Sequence, residues 1–240
     1  MLAGAVSVAV VSCNTDDPAD EIPETPTDPS SNPPTPSFGE GYGTLSAVET
    51  ATTIEIPGFG SETIDMGIAA AAFFDGNSYD SFVDAGTVSA EGESLTQYEN
   101  KSYAFTPTQT EPNGLDFGST ASWEVSGAGN IPAFTHTTGI GFPTLGAITS
   151  DDVVPATGDF TVSVNNVSGA DSVYFMLGGV IHIEAGNATS STFTEAEIDG
   201  MGSGASFAQV APYNWEEATK SGKLFYFVME KVRTQSVTIE

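Results

Sequence analysis

Apolar and polar residues alternate with a period of two along most of the chain beyond Gly39. The clearest case is TASWEVSG (120–127), where Ala121, Trp123 and Val125 fall on one side and Ser122, Glu124 and Ser126 on the other. That spacing marks a half-buried strand, and it puts Trp123 in a core rather than on a ligand platform. GTVSAEGESL (86–95) and KSYAFTP (101–107) repeat the pattern between turn residues and predict a strand pair. TIDMGIAAAAFF (63–74) is the one long apolar run. Its alanines also suit a helix, but the flanking glycine and aspartate favour a buried strand. Near the end, KLFYFVMEKVRTQSVTI (223–239) predicts a final strand pair turning around Lys231 to Gln235. No segment carries the pattern of a helix longer than a turn or two. The predicted fold class is therefore all-β, as two tandem β-sandwich domains over 39–146 and 147–240.

Composition supports this. The 240 residues include 26 Gly and 14 Pro, the usage of short strands and tight turns. Charge then narrows the partners. Lys and Arg number 5 against 32 Asp and Glu, a net charge of −27, and Lys220, Lys223, Lys231 and Arg233 all fall in the last 21 positions. Such a field repels phosphate backbones, so nucleic acid is excluded as a partner. A solubilising surface explains the acidity, and a calcium-dependent surface is the sharper alternative.

The N-terminus predicts an address. MLAGAVSVAVVS (1–12) is apolar, close to the length of a signal-peptide core and too short to span a bilayer as a helix. It ends at Cys13, the only cysteine. VVSC (10–13) resembles the lipobox of bacterial lipoproteins, which implies lipidation of Cys13. Val10 stands where that family usually has Leu. The lack of a basic run before Leu2 implies a start upstream of Met1. Asp16 and Asp17 resemble the export signal of Bacteroidota surface lipoproteins, which implies the outer leaflet of the outer membrane. From Asn14 to Phe38 there are seven prolines, six acidic residues and no basic one. Such a stretch cannot bury enough apolar surface to fold. As polyproline II it would reach about 75 Å, so 13–38 reads as a lipidated cysteine followed by a stalk.

A second resemblance covers 147–240. FTVSVNNVSGADSVYFMLGG (160–179) and STFTEAEIDGMGSGASFAQVAPYN (191–214) are similar to a fibronectin type III or related immunoglobulin-like sandwich. That family runs a B strand through a Gly-Ala turn into a C strand, and an E strand through a glycine corner into an F strand ending in Asn. Gly204 would be the corner glycine, and Phe207 replaces the Tyr that anchors the corner by its hydroxyl. The resemblance implies fold and not function.

Chemistry is sparse. His136 and His182 lie in strand-like contexts, and without a cysteine partner zinc sites of Cys/His type are excluded. Joint ligation of haem or a metal by the two histidines competes with the plainer role of satisfied structural residues. No G-x-S-x-G, phosphate loop or H-E-x-x-H is present, and carboxylates are too abundant for any pair to signify a glycosidase. The chain reads as no enzyme. Two binding signals remain. FFDGNSYDSF (73–82) places Asp75, Asn77 and Asp80 on one loop, oxygen ligands that calcium could take, although a plain turn explains them as well. In APYNWEEA (211–218) the alternation stops, which predicts a loop holding Tyr213, Asn214, Trp215 and Glu216. An exposed Trp beside carboxylates and an amide suits a sugar, and a Trp folded back over the sandwich is the alternative. ADSV (170–173) also resembles the Bacteroidota site for O-glycosylation. The expectation is a stalked, lipid-anchored surface protein that binds an extracellular glycan. The alternative is a structural or assembly component bound to an envelope protein, with no small ligand.

Overall fold

The computed structural model describes residues 41–56, 60–76, 81–108 and 112–240. The leader (1–12), Cys13 with the proline-rich stretch (13–38), and the loop residues Asn77 and Asp80 lie outside the described residues.

The long strands β1 (Gly41–Ile56) and β2 (Gly60–Phe73) form a hairpin, paired from Gly43↔Phe73 to Ile56↔Gly60. Short strands follow: β3 (Val88–Ala90), β4 (Glu93–Ser94), β5 (Thr96–Gln97), β6 (Tyr103–Phe105), β7 (Ser122–Val125) and β8 (Phe134–Thr137). After them come β9 (Thr144–Leu145), β10 (Val153–Val154), β11 (Phe160–Ser163) and β12 (Val167–Ser168). Then β13 (Ser172–Leu177), β14 (Val180–Ala185) and β15 (Ser190–Phe193) lead into α1 (Glu195–Met201). Two strands of 17 residues, β16 (Gly204–Lys220) and β17 (Lys223–Ile239), complete the chain.

The fold is all-β. Its main sheet has nine strands in the order β14-β13-β16-β17-β1-β2-β6-β5, with β10 beside the end of β17. A four-stranded sheet, β4-β3-β7-β8, and the pairs β11-β15 and β9-β12 face it. The C-terminal half is built as a sandwich. The strands β14, β13, β16 and β17 stand opposite β11 and β15, and β10 runs parallel to β17.

Two hydrophobic cores result. The first gathers Leu45, Ala47, Ala69, Ala71 and Phe73 with Trp123, Val125 and Phe134, and is completed by Phe225, Phe227 and Met229 of β17. The second gathers Val162, Phe175, Leu177 and Phe193 with Ala208 and Val210 of β16 and Val237 and Ile239 of β17. Gly146 therefore lies between two cores, but the chain does not divide there. One face of the β16–β17 hairpin packs on both cores, each core taking a different stretch of it. The stretches meet at Pro212, where the β16–β17 register is interrupted between Val210↔Arg233 and Tyr213↔Glu230 because proline has no N–H for the ladder.

Three expectations change. The runs 86–95 and 101–107 do not pair with each other. The first folds on itself at Glu91–Gly92, where φ is 52° and 84°, to give β3–β4, while the second joins β2 and β5 in the main sheet. No turn interrupts Lys231 to Gln235: β17 runs through it, held on one side by β1 as far as Arg233 and on the other by β16. The polar residues there mark the gap between the two cores. The third concerns 211–218, which lies within β16 and is not a loop.

Candidate functional site

Strand geometry decides what residues 211–218 present. In β16 the side chains at 208, 210, 214, 216 and 218 project to the side of the facing sheets, and those at 211, 213 and 215 to the opposite side of the main sheet. The four residues expected to act together therefore separate into two pairs.

Asn214 and Glu216 bind the molecule to itself. The Asn214 amide donates to the carbonyls of Gly141 (2.9 Å) and Gly169 (2.7 Å). Glu216 accepts from the Gly139 amide on both oxygens (3.0 Å each) and meets Nε2 of His136 at 2.7 Å. The His136 ring lies 3.9 Å from the Phe227 ring, and the Lys220 ammonium donates to the Thr135 carbonyl at 3.0 Å. These contacts seam the small sheet to β16 above the first core. The polar residues that break the alternation in the sequence are the seam itself.

Tyr213 and Trp215 lie on the other side, in an aromatic row with Tyr174 of β13 and Tyr226 of β17. Tyr174 and Tyr213 stack at 4.8 Å and 17°, and Trp215 tilts against Tyr226 at 5.9 Å. Tyr213 and Tyr226 are buried, whereas Trp215 and Tyr174 are half-buried. The backbone N–H of Trp215 donates to Oδ2 of Asp171 at 3.1 Å, which fixes the strand beneath the indole. Burial pushes the Tyr174 phenol well above its usual range, with the neighbouring Tyr213 adding to the shift. The Tyr213 hydroxyl is buried without a hydrogen-bond partner. Opposite it in register stands Glu230, whose carboxyl is pushed by burial up to about 7. Sequence reasoning missed Tyr174 and Glu230. Both follow from their registers once the strands are placed, since 174 and 230 share the face of 213.

Asp75 sits elsewhere, in a polar clamp. Its Oδ1 accepts from the Asn130 amide at 2.6 Å, and the Lys223 ammonium contacts Asn130 while lying 4.3 Å from the Tyr42 ring centre. Asn130 thus links this carboxylate to the lysine. Among the described residues, no three His, Cys, Asp or Glu side chains converge as a metal site.

The two histidines serve different cores and do not converge on one ligand. His182 joins Ser191 (Nδ1 to Oγ, 3.0 Å) to Glu197 (Nε2 to Oε1, 2.9 Å) and stacks on Phe193 at 4.3 Å. Serine, histidine and glutamate are the residue types of a nucleophilic triad. Here the Ser191 hydroxyl donates to Glu184 at 2.7 Å and is buried, so its proton is engaged and its oxygen is not offered to a substrate. Glu197 also closes a capping box with Thr194 at the start of α1. Its carboxyl is held below the usual range first by His182 and then by the Thr194 amide. The T-x-x-E spacing was present in the sequence as a helix-start signal.

No family model, curated protein or solved structure matches the chain.

Proposed function

We propose that the chain is a lipid-anchored, non-enzymatic binding module displayed on the outer membrane, and that its ligand is a glycan. The observation that carries the reading is Trp215, half-buried on the side of the main sheet away from the facing sheets and tilted against Tyr226. A flat aromatic surface on rigid strands suits the apolar face of a sugar ring, and it costs little ordering on binding. The net charge of −27 disfavours sulfated or uronic-acid polymers and favours a neutral glycan. The anchor rests on VVSC and the acidic residues after it, and the proline-rich stretch would act as a spacer.

The test is an array of neutral oligosaccharides probed with the full chain, with and without calcium, beside Trp215→Ala. Loss of one stacking aromatic is expected to weaken binding by about tenfold or more. Silence from folded wild-type protein, or equal binding by Trp215→Ala, overturns the reading. The assembly reading has one specific observation in its favour, the open edge at β14.

A further inference from the structure

The two ends of the main sheet are built differently. At one end stands β5, only two residues long and closed by the turn that brings Lys101 N–H to the Tyr98 carbonyl at 2.9 Å. A short, charged terminus of that kind blocks further strand pairing. At the other end stands β14, six residues in unbroken register with β13 from Ser172↔Ala185 to Leu177↔Val180. Its sequence, VIHIEA, contains no Lys, Pro or bulge.

Hydrogen-bond parity identifies which groups this edge presents. The β13–β14 loop is the two residues Gly178 and Gly179, with φ of 56° and 98°, a type I′ hairpin. In such a hairpin the flanking residues Leu177 and Val180 exchange both backbone hydrogen bonds, and the exchanging pairs then recur at every second residue. On the far side of β13, Gly178 N–H donates to Phe207 O, which assigns the even residues of β13 to β16 and the odd ones to β14, in agreement. The N–H and C=O groups of Ile181 and Ile183 therefore point outward. Neither residue has a backbone partner on that side. Ile181 is also 38% exposed, among the few large apolar side chains so exposed in the described residues.

We infer that β14 is a self-association edge, pairing antiparallel with β14 of a second copy about a two-fold axis through His182. The register is self-matching: Ile181 of one copy faces Ile183 of the other, and the reverse, so that about four backbone hydrogen bonds form around the axis. The same register sets two Ile–Ile pairs side by side on the face away from the second core, the kind of cross-strand contact that stabilises sheets. The carboxylates nearest the edge, Glu184 and Glu197, are already engaged by Ser191 and His182 on the opposite face. What opposes pairing is the long-range repulsion between two chains of −27, which salt screens. This inference stands apart from the glycan reading and does not rest on it.

The test is sedimentation velocity of the full 240-residue chain carrying Cys13→Ser, so that neither a disulfide nor a lipid links copies. In about 0.01 M salt the screening length is about 30 Å and the chain is expected to sediment as a monomer. In about 1 M salt the length falls to about 3 Å, and the weight-average mass should rise toward twofold at protein concentrations on the order of 100 µM, as suits a small interface. Ile183→Pro removes an outward N–H and the Ile183 side chain of the cross-axis pair, and Ile181→Lys adds the charge that natural edges carry. Both variants should remain monomeric in high salt with unchanged circular dichroism. If Ile183→Pro does not fold, Ile181→Lys decides alone. A wild-type chain that stays monomeric in both salts overturns the inference. So does self-association that survives these substitutions.

Discussion

Tyr103 shows how one buried polar group can organise a turn. Its hydroxyl accepts from Ala85 N–H (2.9 Å) and from the Gln97 amide (2.7 Å), and donates to Asp84 Oδ1 (2.9 Å). Burial raises the phenol's pKa, while the Gly86 amide and the phenol both hold Asp84 low. Tyr103→Phe keeps the packing against Phe73 but leaves the buried Ala85 N–H unpaired. Urea unfolding should show a loss of about 1–3 kcal/mol. Glu230 makes the opposite kind of contribution. Its folded-state pKa is raised to about 7, so the native state holds a proton that the unfolded chain gives up near 4.5. Stability from this group is complete below about pH 4.5 and is lost as pH rises through 7. Glu230→Gln should therefore flatten the fall in stability between about pH 5 and 8, with a gain approaching 3 kcal/mol at pH 8 as an upper bound. An unchanged pH profile would remove the buried carboxyl from the account.

At the scale of elements, α1 is held by its cap more than by its length. Seven residues are too few for a stable helix alone, and the Thr194–Glu197 box with Ile198 buried beneath fixes the turn into β16. Thr194→Ala should cost about 1 kcal/mol in thermal or urea unfolding. A neutral result would mean that the Glu197–His182 pair alone holds the turn. The same scale shows what was legible in the chain. The β7 alternation around Trp123 placed a buried tryptophan correctly, because one face meets a core and the other meets water. The apolar run at 63–74 resolved as a strand for a related reason, with Ala69 and Ala71 facing the first core and Ala70 and Ala72 the opposite side of the sheet. The 211–218 segment misled because period-two reading expects polar residues to face water. Asn214 and Glu216 instead face other protein, where their hydrogen bonds replace those of solvent. Lys231 to Gln235 misled similarly, since polar residues between two cores look like a turn. Neither parallel pairing of β1 with β17 nor the aromatic row across three strands has a local signature, because both depend on residues far apart in sequence.

At the scale of the molecule, the β16–β17 hairpin turns two cores into one body. Core residues within 41–146 lack Phe225, Phe227 and Met229 without it, and those within 147–203 lack Ala208, Val210, Val237 and Ile239. The direct test is to weaken one core and read the other. Val162 is fully buried in the second core on β11, away from the shared hairpin, and Trp123 reports the first. In a Trp215→Phe background, Val162→Ala should cost about 2 kcal/mol and lower the thermal midpoint of Trp123 fluorescence by about 4–8 °C, together with that of circular dichroism. A Trp123 midpoint that stays in place while a separate, earlier transition appears in circular dichroism would contradict the shared-hairpin account.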